Sequence, residues 1–226
     1  MRLAPVWGPT AFLSLCVACS PALAEPADPE GGRIILAANH GRPTDDLARK
    51  SLEQCEAGRR AEARATRKAH FDRGQTLAER AVAQNDRSAQ AHFALFCNQG
   101  ELMRLDGESI SSVFGLRRLL AELDRTLELD PTNSDALAAK GTFLVRLPRL
   151  LGGDTEKGEA LLREAIERDP NAFSSRLTLA KTCEARGDRA EAITFVTRAL
   201  QIAREQGRAD KVAQAQALLT ELRAAQ

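Results

Sequence analysis

The 226-residue sequence has no tyrosine, a single tryptophan (Trp7) and only 4% aromatics. No apolar run after residue 25 is long enough to cross a bilayer. The only histidines are His40, His70 and His92, and no ligand type lies one helical turn from any of them, so no metal site is expected. Gly152-Gly153 lacks the Lys-Ser/Thr of a phosphate-cradling loop, and no Ser/His/Asp set can be nominated. Catalytic residues, metals and cofactors are therefore not expected. The net charge is +1 and both signs are interspersed without a basic stripe, which argues against nucleic acid as a partner. What is present is a globular balance of 43% hydrophobic and 28% charged residues, led by the helix formers Ala, Leu, Arg and Glu. An all-α chain follows.

The first 24 residues have the pattern of a targeting segment. Arg2 is followed by the apolar run Ala11 to Ala18 and by Ala22-Leu23-Ala24, a small-x-small cleavage pattern. Export to the periplasm with cleavage after Ala24 is expected; the alternative is lipid anchoring through Cys19. Cleavage leaves Cys55, Cys97 and Cys183. An odd number keeps at least one thiol unpaired within the chain. All three sit among apolar residues of helical patterns and are expected to act as small buried hydrophobes, with room for one disulfide. Residues 25–43, rich in Pro, Gly and Asp, read as a leader whose segment Arg33 to Ala38 docks on the body.

The strongest signal is internal similarity. Gly158 and Ala165 lie seven apart and are followed by Pro170; Ala192 and Ala199 also lie seven apart. Ala165 to Ala199 is a shift of 34 residues, and the same shift aligns Leu162 with Val196 and Ile166 with Leu200. Small residues let the two helices of a hairpin approach closely, and large ones beside them fill the groove. Gly-Asp turns the chain and caps the next helix, while Asp-Pro stops the second helix of each pair. Upstream, Leu119, Leu123 and Leu127 precede Asp130-Pro131, with Thr126 in place of the expected Ala; Gly74 and Ala81 mark a degenerate earlier unit. The spacing of 39 from Thr126 to Ala165 places five extra residues in Leu147 to Asp154. The spacing of 45 from Ala81 to Thr126 places about eleven more, mostly in Leu105 to Ser112. Helices are expected near 44–57, 60–84, 88–104, 112–129, 134–147, 155–168, 172–186, 189–205 and 208–225.

These columns resemble the tetratricopeptide repeat (TPR). The fold expected is an all-α, TPR-like helical hairpin solenoid over residues 44–207, of about four helix pairs. A C-terminal capping helix over 208–226 follows, carrying Val212, Ala215, Leu219 and Leu222 on one face. Ala91-His92-Phe93 followed by Gly100, together with the Leu-Leu-Gly-Gly-Asp insertion at 150–154, resembles exported bacterial TPR proteins. Those are similar to the T component of tripartite periplasmic (TRAP) transporters and, distantly, to regulator of microtubule dynamics proteins. The resemblance implies a non-enzymatic accessory protein that binds another protein or peptide. It also implies homo-oligomerisation and, as the alternative, a small apolar ligand in a TRAP-type system. A TPR stack turns its first helices to a concave groove, which projects Phe93, Cys97, Thr142, Arg146, Leu177 and Lys181 towards a ligand. His92 is a further ligand-lining candidate by the same resemblance; the other reading is a partly buried imidazole satisfied by a backbone carbonyl. The insertion Pro148 to Gly153 is expected to wedge its leucines between repeats.

Overall fold

The computed structural model describes residues 43–107 and 112–224. The expected targeting segment, Cys19, His40 and the leader with its Arg33 to Ala38 stretch lie outside the described residues, save Pro43 at the leader's end. Among the described residues the regular structure is helical: α1 Pro43–Arg60, α2 Arg64–Gln84, α3 Ala89–Asp106, α4 Ser112–Leu129, α5 Ser134–Arg146, α6 Thr155–Arg168, α7 Phe173–Ala185, α8 Arg189–Glu205 and α9 Ala209–Ala224. A short 3-10 turn, Arg149–Leu151, lies between α5 and α6.

Polar residues fix where these helices start and stop. The side chains of Ser88, Asn133, Asp154 and Asp188 accept the first free amides of α3, α5, α6 and α8. At the other ends, Asp130 and Asp169 accept the amides of Thr132 and Asn171 at 3.0 and 2.8 Å, and the proline after each aspartate has no amide to continue the helix. Gly187 turns the chain at φ +87°, a conformation that side chains rarely adopt, and hands it to the Asp188 cap.

The helices pair as α1/α2, α3/α4, α5/α6 and α7/α8, with α9 laid on the end. Small residues sit where the hairpins close. A Cβ on Gly141 would lie 2.8 Å from the carbonyl oxygen of Gly158, and one on Gly158 2.8 Å from that of Gly141, so α5 and α6 touch backbone to backbone. Ala165, Ala192 and Ala199 are fully buried, as are the large partners Leu162 and Val196. Thr126, the departure from the alanine column, is buried too, and its hydroxyl donates to the Glu122 carbonyl of its own helix at 2.8 Å. That bond is why a polar side chain fits an apolar column.

The cap forms as expected. α9 buries Ala215, Leu218, Leu219 and Leu222 in one core with Phe173, Leu177, Val196 and Leu200, which gives the last hairpin an apolar neighbour. At the opposite end α1, α2 and α3 share buried residues, and Cys55 on α1 is disulfide-bonded to Cys97 on α3. The winding is tight enough that Glu56 on α1 meets Arg208, just before α9, at 3.7 Å.

The insertion between α5 and α6 departs from expectation. Its leucines do not wedge between repeats: Leu150 is 95% exposed and Leu151 48%. The turn closes on its own backbone, with the amides of Leu151 and Gly153 both donating to the Pro148 carbonyl and that of Asp154 to Leu144. A chain that folds back on itself in so few residues has no reach to bury its tip.

Candidate functional site

The seven side chains projected towards a groove separate into two sets. Cys97 is in the disulfide and 5% exposed; Leu177 is 5% exposed within the α7–α9 core. Phe93 stacks on Phe96 at 5.9 Å and packs with Leu119, Leu123 and Phe143 where α3, α4 and α5 meet. Cys97 and Leu177 are buried and Phe93 is half-buried, and all three pack against neighbouring helices because their own helices bury more than one face. His92 is 7% exposed; its Nε2–H donates to the Asp86 carbonyl at 2.8 Å and its Nδ1 lies 2.6 Å from a Glu122 carboxylate oxygen. With both ring nitrogens engaged, the imidazole joins the turn before α3 to the middle of α4. Thr142 is half-buried and donates to the Ala138 carbonyl at 2.8 Å.

Arg146 and Lys181 behave differently. They come together on one cleft of ≈ 470 Å³, lined also by Val145, Thr155, Glu159, Thr178, Thr182 and Arg186. Gly141 and Gly158 bring α5 and α6 into contact below it, and the buried face of α7 holds its other wall in place. Thr178, Lys181, Thr182 and Ala185 follow helical i, i+3, i+4, i+7 spacing, which puts them on one face of α7. The threonine hydroxyls of 178 and 182 donate back to their own helix at 3.0 Å.

The charges of this cleft are unevenly spent. The Arg186 guanidinium donates to both carboxylate oxygens of Glu159 at 2.8 and 2.9 Å and to Glu191 at 3.1 Å. Arg163 reaches the other oxygen of Glu191 at 2.6 Å. Those two arginines are thereby matched by two carboxylates. Arg146 and Lys181 are exposed and form no ion pair with a described residue. The cleft thus presents two uncommitted cations above an internally neutral base. Sequence reasoning found both cations. It missed Thr178 and Thr182, for which the only signal was the common face of α7, and Thr155 and Glu159 on α6, whose place in the cleft depends on how α5 and α6 cross.

Beside the cleft, Cys183 is fully buried with its thiol donating to Glu191 at 3.2 Å. Burial, reinforced by that carboxylate, pushes the thiol up to about 11. The thiolate is the reactive form, so this cysteine is inert at neutral pH. Iodoacetamide at pH 8 should therefore alkylate Cys183 at least roughly 100-fold more slowly in the native protein than in denaturant, read by mass spectrometry. Equal rates would mean that α7 and α8 part freely.

No family model matches the chain, and no curated protein matches it. Among solved structures, it is similar to TTC0263, a thermophilic TPR protein of Thermus thermophilus, with a TM-score of 0.57 and 20% identity over 83% of this chain and 87% of that one. It also overlays on pilF of Pseudomonas aeruginosa with a TM-score of 0.47 and 15% identity, covering 80% of this chain and 78% of that one. The first of these shows the fold. Together with the 34-residue column spacing and the stacked hairpins, it makes this chain an all-α solenoid of the tetratricopeptide type.

Proposed function

We propose that this chain is a non-catalytic scaffold, exported to the periplasm or cell envelope, that holds a carboxylate-bearing segment of another protein in the α5–α7 cleft. The observation that carries this reading is the pair Arg146 and Lys181: two exposed cations that pair with no carboxylate among the described residues, on a wall held by buried packing. A partner carboxylate gains charge-assisted hydrogen bonds there without breaking any in the free protein. The Cys55–Cys97 disulfide supports export, because such bonds persist in oxidising compartments.

Reversing both charges, Arg146→Glu with Lys181→Glu, should abolish crosslinking to the partner in the native host while leaving the melting temperature within about 2 °C, since both side chains are exposed. Retention of the same crosslinked partner by the reversed protein would sink the cleft as the site. Native mass spectrometry of the purified protein addresses the alternative. A ring-sized oligomer carrying small-molecule mass would favour a TRAP-type ligand-binding accessory over the scaffold.

A further inference from the structure

The α5–α6 turn holds the two large hydrophobic side chains that stand exposed among the described residues, Leu150 at 95% and Leu151 at 48%. Their presentation is set by backbone hydrogen bonds of the turn. The amide of Gly152 donates to Arg149 at 3.0 Å and that of Gly153 to Pro148 at 3.0 Å, and Asp154 ties the far end to Leu144 at 2.9 Å. Gly152 sits at φ +90°, and a Cβ on Gly153 would fall 1.8 Å from the Leu147 carbonyl oxygen, so the turn closes only with glycine at the second of these positions. Backbone closure thus keeps both leucines out of the fold.

Size and charge indicate what covers them. Two side chains on a convex three-residue turn fall far short of the ~800 Å² per partner that a stable protein interface buries. A fluid bilayer has no such threshold: it admits a small convex tip, and each leucine that enters hydrocarbon strengthens partition by about tenfold or more. Arg149 stands exposed on the turn itself and Arg146 at its base, with no acidic residue from Leu147 to Gly153. The nearest carboxylates in sequence are Asp154, which caps α6, and Glu156 in that helix's first turn. An apolar tip with arginines at its base matches an anionic lipid surface. We propose that the Leu150–Leu151 turn is a membrane-surface contact that inserts its leucines into an anionic bilayer while Arg149 meets lipid phosphate. With only two leucines the contact is reversible.

Flotation of the full chain with phosphatidylcholine vesicles, with and without phosphatidylglycerol, tests this. The native protein should float with the phosphatidylglycerol vesicles. Leu150→Asp with Leu151→Asp should cut the bound fraction about tenfold or more, and Arg149→Ala should cut it a few-fold, more so at low salt. These positions are exposed, so an unchanged circular dichroism melt confirms that each variant is folded. No flotation of the native protein, or equal flotation of the Asp variant, overturns the proposal; in the second case another part of the chain binds lipid. If the Lys181→Glu protein floats normally but loses its crosslinked partner, the turn and the cleft act independently.

Discussion

Removing the Cys55–Cys97 disulfide should cost this protein about 4 kcal/mol, the chain-entropy value for a closed loop of 42 residues. The bond joins α1 to α3 across the whole of α2, so it constrains two helix connections at once. Each unit of the solenoid leans chiefly on its neighbours, with the Glu56–Arg208 contact reaching across the winding, and the loss therefore falls mainly on the N-terminal end. The Cys55→Ala/Cys97→Ala variant should melt about 8 to 16 °C lower if the unit unfolds with the rest. If cooperativity breaks, an early transition confined to α1–α3 should separate from the main one. Alanine is the better replacement because both sulfurs are buried, at 1% and 5% exposure, and a serine hydroxyl there would lack a partner. Circular dichroism melts of the variant, and of the native protein with and without reductant, decide the matter. A difference below about 2 °C in both would show that α1 is held by packing alone.

Gly74→Ala should be nearly as damaging, at about 3 kcal/mol, although it adds one methyl group. A Cβ at Gly74 would lie 2.0 Å from Oδ1 and 2.5 Å from Cγ of Asn98. Asn98 cannot step aside. It is fully buried, and its amide donates to the Ala94 carbonyl at 2.9 Å and to the Ser51 hydroxyl at 3.0 Å, while Ser51 donates to the Gly74 carbonyl at 2.7 Å. One knot of buried polar groups joins α1, α2 and α3, and displacing its centre strands several of them at once. Gly115→Ala is the matched control. The nearest atoms to a Cβ there belong to the flexible Met103 side chain at 3.6 Å, so the change should stabilise α4 by roughly 0.5–1 kcal/mol through backbone entropy. Urea unfolding of the two variants should move in opposite directions. Equal midpoints would mean that the Asn98 knot is soft.

Much of the architecture was readable from local signals. Asp130-Pro131 and Asp169-Pro170 end their helices, Asp154 and Asp188 cap the next ones, and Gly141, Gly158, Ala165 and Ala199 fall at the hairpin contacts. Such features act over one helical turn, so residue type and spacing suffice to place them. The candidate site was readable only in part. Arg146 and Lys181 stood out as cations in concave columns, yet the same columns nominated Cys97 and Leu177, which the fold buries. A column fixes which way a side chain leaves its helix. It does not fix whether a third helix arrives to cover it.

Residue order was thus enough for the helices, their caps and breaks, and the repeat that stacks them, because each depends on hydrogen bonds and packing within neighbouring turns. Folding in three dimensions was needed for the pairing of Cys55 with Cys97, the Glu122 partner of His92, the meeting of Glu56 with Arg208, and the exposure of Leu150. The first three join positions 42, 30 and 152 residues apart, and the fourth depends on a turn closing on its own backbone. Contacts at such separations are set by the accumulated angles between successive helices, and no local pattern of residues records those angles.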